Sequence, residues 1–154
     1  MPAQSITSTR NQISQIEQCI QSCLDCHRRI CLETITYCLL KGGTYANLKH
    51  IRLLQDSAEI CQTAANFMTR NSDMQKTIWN ACAEICLKCA EVCEWFGKDQ
   101  MMKSCAEACR QCAEFCGLMV MRPPDHDLPL TIDHTSLRTR PSLNPNESKP
   151  SSKH

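Results

Sequence analysis

The feature that most constrains this chain is a twelve-residue pattern that occurs twice in its second half. The pattern C-A-E-x-C-x-x-C-A-E-x-C covers residues 82–93 and recurs over residues 105–116. Its cysteines are separated by steps of four, three and four residues. At about 100° per residue, these steps place four sulfurs within a stripe about 60° wide on an α-helix. The repeat therefore predicts two helices, each with a row of thiols along one face.

A third stretch carries a weaker copy of the same spacing. The stripe positions there are His50, Leu54, Ser57 and Cys61. Its last five residues, 57–61, read S-A-E-I-C, which is the C-A-E-x-C unit with serine in place of the first cysteine. The spacing predicts that Ser57 faces the same interior as the thiols of the other helices.

A fourth copy lies near the start of the chain, and its stripe residues are Cys19, Cys23, Cys26 and Ile30. Cys31 and Cys38 do not fit this stripe. They are seven residues apart and fall about 100–120° away from it on a regular helix, near His27 and Thr34. We therefore expect these two cysteines to share a second face of the first helix.

Residues that end or begin helices separate the four copies. Gly42-Gly43 predicts the end of the first helix, and Thr44 is expected to cap the second. Asn71-Ser72 interrupts the second helix, and residues 72–75 form a predicted capping box for the third. Gly97 and Asp99 are expected to end the third helix and cap the fourth. The predicted helices are residues 11–41, 45–70, 73–96 and 99–121.

Proline placement supports this division into segments. Residues 11–121 contain no proline, whereas six of the seven prolines follow Arg122. We expect a polar N-terminal segment (1–10), a Cys-rich bundle (11–121) and a disordered Pro/Ser-rich tail (122–154). Short loops between long helices favour antiparallel neighbours. The predicted fold class is all-α, an antiparallel up-down four-helix bundle.

Charge and hydropathy exclude some partners. The net charge is +1 and no apolar run is long enough to span a bilayer, so neither nucleic acid nor membrane is an expected partner. Residues 1–15 are polar and lack the apolar core of a signal peptide. We therefore expect a cytoplasmic protein whose thiols stay reduced.

Repeated thiol stripes favour metal binding over ordinary packing. A single buried cysteine is commonly a small hydrophobic residue, but a seam of thiols buries less apolar surface than leucine or isoleucine would. Soft thiolates select Cu(I), zinc and iron–sulfur clusters. Long rows of sulfur on rigid helices suit Cu(I), which two thiolates satisfy, whereas zinc and clusters more often use loop ligands. The predicted metal ligands are Cys19, Cys23, Cys26, Cys31, Cys38, Cys61, Cys82, Cys86, Cys89, Cys93, Cys105, Cys109, Cys112, Cys116 and His50.

On these repeats and on residues 50–61, the chain resembles the cysteine-rich four-helix-bundle copper storage proteins. The resemblance covers residues 11–121. It implies a cytosolic bacterial protein that stores or detoxifies several Cu(I) ions per chain and assembles as a homotetramer. A copper chaperone is a further expected partner.

Three functions remain open, and the second belongs to a different class from the other two. The first is Cu(I) storage or detoxification. One alternative is an iron–sulfur electron carrier, which the resemblance implies because related sequences are labelled ferredoxin-like. The other is a zinc or general heavy-metal buffer. The sequence shows no nucleophile–base constellation, carboxylate pair or glycine-rich phosphate loop, so we do not expect an enzyme. Trp79 and Trp95 are expected to be packing residues, and Met68, Met101 and Met119 are expected near the stripe ends.

Overall fold

The computed structural model describes residues 3–121, with side chains from Ile6 onward, and every regular element in this range is helical. The predicted tail (122–154) lies outside the described residues. None of the described helices is both long enough and apolar enough to cross a bilayer. The elements are α1 (Ala3–Arg28), a π-helical segment (Arg29–Thr34), α2 (Ile35–Lys41), a 3₁₀ turn (Gly43–Ala46), α3 (Leu48–Thr69), α4 (Gln75–Glu94) and α5 (Gln100–Val120).

The first three of these elements form one continuous helix, because the residues at both junctions keep right-handed helical dihedrals. This long helix packs against α3 and α5, and α4 packs against the same two neighbours. The result is the predicted antiparallel four-helix bundle. The long helix begins at Ala3 rather than near residue 11, so the part of the polar N-terminal segment that the structure describes is helical.

The π-helical segment explains why the prediction that Cys38 shares a face with Cys31 is wrong. The interior positions Cys26, Ile30, Thr34 and Cys38 are each four residues apart and are all buried. A regular α-helix would rotate Cys38 by about 120° relative to Cys26, and one inserted residue in a π-turn removes most of that rotation. Cys38 therefore faces the core and does not share a face with the half-buried Cys31.

Helix caps agree only in part with the prediction. Asp99 caps α5 as expected, since its carboxylate accepts hydrogen bonds from the backbone N–H groups of Met101 and Met102. The cap of α3 is Asn47 rather than Thr44, because residues 43–46 form the intervening 3₁₀ turn. Ser72 Oγ accepts from the Met74 N–H at 3.2 Å, but the Gln75 side chain bonds to Asn71 and does not complete a capping box.

Asp99 also ties the end of the long helix and the following turn to α5. Its Oδ2 accepts hydrogen bonds from Tyr37 (2.6 Å), Lys41 (2.7 Å) and Tyr45 (3.0 Å). Burial opposes ionisation of Asp99, but these donors and the first-turn amides of α5 outweigh it. They hold the pKa of the Asp99 carboxyl well below its usual range. This network fixes the end of the bundle at which α4 ends and α5 begins.

The core is made largely of cysteine and small or flexible residues. Ala58, Ala64, Ala90 and Ala106 are buried beside the thiols and let neighbouring helices approach closely. Three large buried residues lie at the end of the bundle where α3 ends and α4 begins: Met68, Trp79 and Met119. This is the opposite end from Asp99. Trp79 is therefore a packing residue as predicted. Trp95 is not, because 84% of its surface is exposed.

Candidate metal-binding core

All 14 cysteines are free thiols, and 13 of them are buried. Even the closely spaced sulfurs of Cys61 and Cys86 are 3.4 Å apart, well beyond a disulfide bond of about 2.05 Å. Cys31 is half-buried. The bundle interior is thus lined with reduced sulfur, as the stripes predict.

Sulfurs meet across helices in an ordered series. Between the long helix and α5, contacts run from Cys19–Cys116 (3.9 Å) through Cys23–Cys112 (3.5 Å) to Cys26–Cys109 (3.8 Å). One residue number rises as the other falls, which is the signature of antiparallel packing. We call the twelve sulfurs of the four stripes the thiol column: Cys19, Cys23, Cys26, Cys61, Cys82, Cys86, Cys89, Cys93, Cys105, Cys109, Cys112 and Cys116.

Within the column, three groups of sulfurs are close enough to share an ion. In each group every ligand atom lies within 4.8 Å of the others. The groups are Cys23, Cys82, Cys112 and Cys116; Cys26, Cys61, Cys86 and Cys112; and Cys89, Cys105 and Cys109.

Cys112 links the first two groups. Its sulfur lies 3.5 Å from Cys23, 3.6 Å from Cys61 and 3.7 Å from Cys82. It therefore touches sulfurs from all three other helices at once. A thiolate in that position can bridge two metal ions. Separate four-ligand sites would not share a sulfur in this way.

Hydrogen bonds among the sulfurs separate thiols that keep their protons from those that lose them. Bonding to Cys116 raises the pKa of Cys112, and bonding to Cys112 lowers the pKa of Cys116 to about 6. Bonding to Cys112 also lowers the pKa of Cys86 to about 5. Because the thiolate is the metal ligand, some sulfurs are poised to bind near neutral pH. Metal binding at the others must release protons.

The α3 wall contains fewer thiols but faces the same interior. Ser57 is fully buried, and its Oγ lies 3.5 Å from Cys86 Sγ and 4.0 Å from Cys109 Sγ. Leu54 is also fully buried. The four-copy interpretation of the sequence therefore places α3 correctly, with Cys61 as its one thiol in the column.

His50 is buried at the start of α3 but belongs to none of the three sulfur groups. Its Nδ1 donates to the Tyr45 carbonyl at 2.9 Å, and its ring stacks on Phe96 with centroids 4.9 Å apart. Its Nε2 is buried without a hydrogen-bond partner among the described residues. The structure brings this predicted ligand to the rim of the column, not into it.

Met102 is a soft donor that the sequence analysis missed. It is fully buried, with its Sδ 3.7 Å from Cys38 Sγ. Burial raises the pKa of the Cys38 thiol to about 11. The alternation of three- and four-residue steps along α5 runs through 102, 105, 109, 112, 116 and 119 and could have identified Met102. Met101, which is expected near the start of the α5 stripe, is only half-buried.

Cys31 and His27 form a separate, half-buried pair where the long helix faces α3. Cys31 Sγ lies 3.7 Å from His27 Nδ1, which also donates to the Ala58 carbonyl at 2.9 Å. The predicted proximity of Cys31 to His27 is confirmed. Neither residue contributes a ligand atom to the three sulfur groups of the described chain.

Comparison with solved structures supports this arrangement. A Nitrosospira multiformis protein, Nmul_A1745, is 38% identical with a TM-score of 0.65, covering 70% of this chain and 96% of that one. The Cu(I)-bound copper storage protein BsCsp3 is 33% identical with a TM-score of 0.63, covering 69% and 98%. A cytosolic copper storage protein from Streptomyces lividans, solved with five coppers, is 28% identical with a TM-score of 0.65, covering 72% and 96%.

Sequence comparison agrees. The cysteine-rich protein YhjQ of Bacillus subtilis (strain 168) is 36% identical over 77 residues, which are 50% of this chain and 70% of that protein. The sequence profile of the copper storage protein family, Csp, matches residues 12–121. That range covers the bundle from residue 12 onward and includes every cysteine. This chain belongs to the copper storage protein family.

Proposed function

We propose that this protein stores Cu(I), several ions per chain, on the thiolates of the thiol column. The observation that carries the proposal is the sharing of Cys112 between two four-sulfur groups of a continuous buried column. Cu(I) is soft, is satisfied by few thiolates and accepts bridging sulfur. Zinc prefers a closed set of four ligands, and the third sulfur group, Cys89, Cys105 and Cys109, offers only three.

The column also explains how the ions would be retained. Its twelve sulfurs are buried, so bound ions are removed from water and from competing ligands. Ser57 is a hard, weak ligand, so ions beside it would be held by sulfurs of the other helices. Cys38 with Met102 adds a soft pair beyond the column, and His50 adds a nitrogen donor at its rim.

The remaining parts of the proposal rest on the family. We infer a cytoplasmic location, a homotetrameric assembly and delivery of copper by another molecule. Light scattering coupled to gel filtration measures the assembly. A mass of one chain would contradict the tetramer while leaving the storage proposal intact.

Anaerobic titration tests the proposed function. Reduced, metal-free protein is titrated with Cu(I), passed through gel filtration, and analysed for copper and protein. We expect several copper ions to elute with each chain. Less than one ion per chain would contradict storage. Parallel incubations with Zn(II), and with iron plus sulfide, test the alternatives, since an iron–sulfur protein would be brown.

A further inference from the structure

The long helix continues past the end of the bundle at which α3 ends and α4 begins. Antiparallel α5 runs beside it, with Cys19 opposite Cys116, and α5 ends four residues later at Val120. That end lies opposite about residue 15 of the long helix, and the contact between the long helix and α3 places the end of α3 at nearly the same level. Because α1 begins at Ala3, about 12 residues, or about 18 Å of helix, extend beyond both neighbours. We call residues 3–15 the overhang.

An apolar stripe begins on the overhang and runs into the bundle. Its members, which we call the isoleucine stripe, are Ile6, Ile13, Ile16 and Ile20, separated by seven, three and four residues. At about 100° per residue they fall within about 80° of the helix surface. Ile16 and Ile20 are half-buried against the core, whereas 66% of Ile6 and 53% of Ile13 are exposed. The spacing is that of the a and d positions of a coiled coil, so the exposed part of the stripe suits another helix.

One edge of the isoleucine stripe carries a charge of each sign. Arg10 and Glu17 are seven residues apart, so they lie on the same edge of the stripe. Both are exposed, and within the described part of the chain neither forms an ion pair. Gln12, on the other edge, is uncharged. Arg10 comes three residues before Ile13 and Glu17 four after it, so the charges are placed almost symmetrically about the middle of the stripe.

We propose that the isoleucine stripe packs against the same stripe of a second copy of this chain, with the two helices antiparallel and crossing near Ile13. In a two-fold contact each pair of residues occurs twice, once in each direction. Antiparallel helices place equal edges of the stripe together, so Arg10 of each copy meets the partner's Glu17 and two ion pairs form. In a parallel pair the edge with Arg10 would meet the uncharged edge with Gln12, and no ion pair would form. The charges therefore favour the antiparallel arrangement.

A second copy is the partner that this surface specifies, because its apolar and its charged parts are both self-complementary. The inference rests on the proposed homotetramer, for which it names one contact surface, and it does not depend on copper. Ile6 and Arg10 precede residue 12, at which the match to the copper storage family begins. The contact thus uses residues outside the part of the chain that the family shares.

Sedimentation velocity of the reduced full-length chain, over a range of protein concentrations, tests the apolar part of the contact. Ile13→Glu places two carboxylates at the centre of the paired stripes. We expect it to raise the dissociation constant of the assembly at least about a hundredfold, so that smaller species sediment at concentrations where wild type stays assembled. Ser14→Glu is the matched control, since it introduces the same charge at the next residue, which is exposed and points away from the stripe. It should sediment like wild type.

Exchanging the charges tests the antiparallel register. Arg10→Glu sets a carboxylate against the partner's Glu17 twice, and we expect the assembly to dissociate at least about tenfold more readily. Adding Glu17→Arg restores opposite signs and should recover wild-type assembly.

Two results would each overturn the proposal: Ile13→Glu that sediments like wild type at every concentration, or a double charge exchange that recovers nothing. Anaerobic copper loading of the same samples separates this outcome from storage. Normal copper content per chain would leave the storage proposal standing, whereas wild type that assembles through the stripe but takes up little copper would contradict storage alone.

Discussion

Ser57 Oγ lies 3.5 Å from Cys86 Sγ, so a hydroxyl occupies a thiol position inside the column. The side chain is fully buried and also lies 4.0 Å from Cys109 Sγ. Replacing Ser57 with cysteine changes one atom at a site already surrounded by sulfur.

We predict that Ser57→Cys raises the copper capacity or tightens the weakest-bound ions, because it exchanges a hard ligand for a soft one. Copper content after gel filtration, and competition with a Cu(I) chelator, measure the two quantities. Ser8→Cys is the matched control, since it adds a thiol at an exposed position of α1. Equal effects of both variants, or no effect of Ser57→Cys, would show that the interior position does not bind metal.

The π-helical segment leads to a prediction about chain length. Leu32 is exposed, and we consider a variant from which it is deleted. In that variant, successive interior residues from Cys19 onward would be separated by four, three, four, three and four positions. That spacing suits a regular α-helix, so we expect the variant to fold and keep Cys38 buried. Deleting Asp25 instead removes a residue from regular α-helix and rotates Cys19 and Cys23 by about 100° from the residues that follow.

Thermal unfolding and alkylation of Cys38, located by mass spectrometry, distinguish the two deletions. The Leu32 deletion should change stability little and keep Cys38 slow to react. The Asp25 deletion should be strongly destabilised. Rapid alkylation of Cys38 in folded protein lacking Leu32 would contradict the proposed role of the inserted residue.

Asp99 should contribute stability that depends on pH. Asp99→Ala removes a helix cap and leaves Tyr37 and Tyr45 without their acceptor, so we expect a loss of about 1–3 kcal/mol in the free energy of unfolding. Asp99→Asn keeps an acceptor oxygen but removes the charge. Asp99→Asn should therefore lower the free energy of unfolding by less than Asp99→Ala does.

The sign of the pH effect follows from the lowered pKa of Asp99 in the folded protein. The stabilisation by the ionised carboxylate is fully present above the unfolded pKa of about 3.9 and is lost as pH falls through the folded pKa. The difference in the free energy of unfolding between wild type and Asp99→Asn should therefore be constant near neutrality and shrink below about pH 4. Urea denaturation at several pH values measures it. A difference that grows on acidification would be incompatible with the depressed pKa.

The bundle and most of its sulfur could be predicted because one stripe spacing recurs on four helices. Ser57 shows this most clearly, since only the S-A-E-I-C unit marks it, and it is buried against two thiols. Cys38 was misplaced because the spacing rule assumes a regular helix, and an inserted residue alters rotation without leaving a local composition signal. The exposure of Trp95 could not be foreseen, because it depends on how the turn before α3 meets α4.

The central claim is that the doubled thiol repeats on α4 and α5 hold the copper. The direct test is the copper content of a variant with their eight cysteines changed to serine: Cys82, Cys86, Cys89, Cys93, Cys105, Cys109, Cys112 and Cys116. Circular dichroism first establishes that the variant is helical, and it is then loaded anaerobically beside wild type. We predict that most of the bound copper is lost, because all three sulfur groups lose at least two ligands. A helical variant that binds nearly as much copper as wild type would contradict the account.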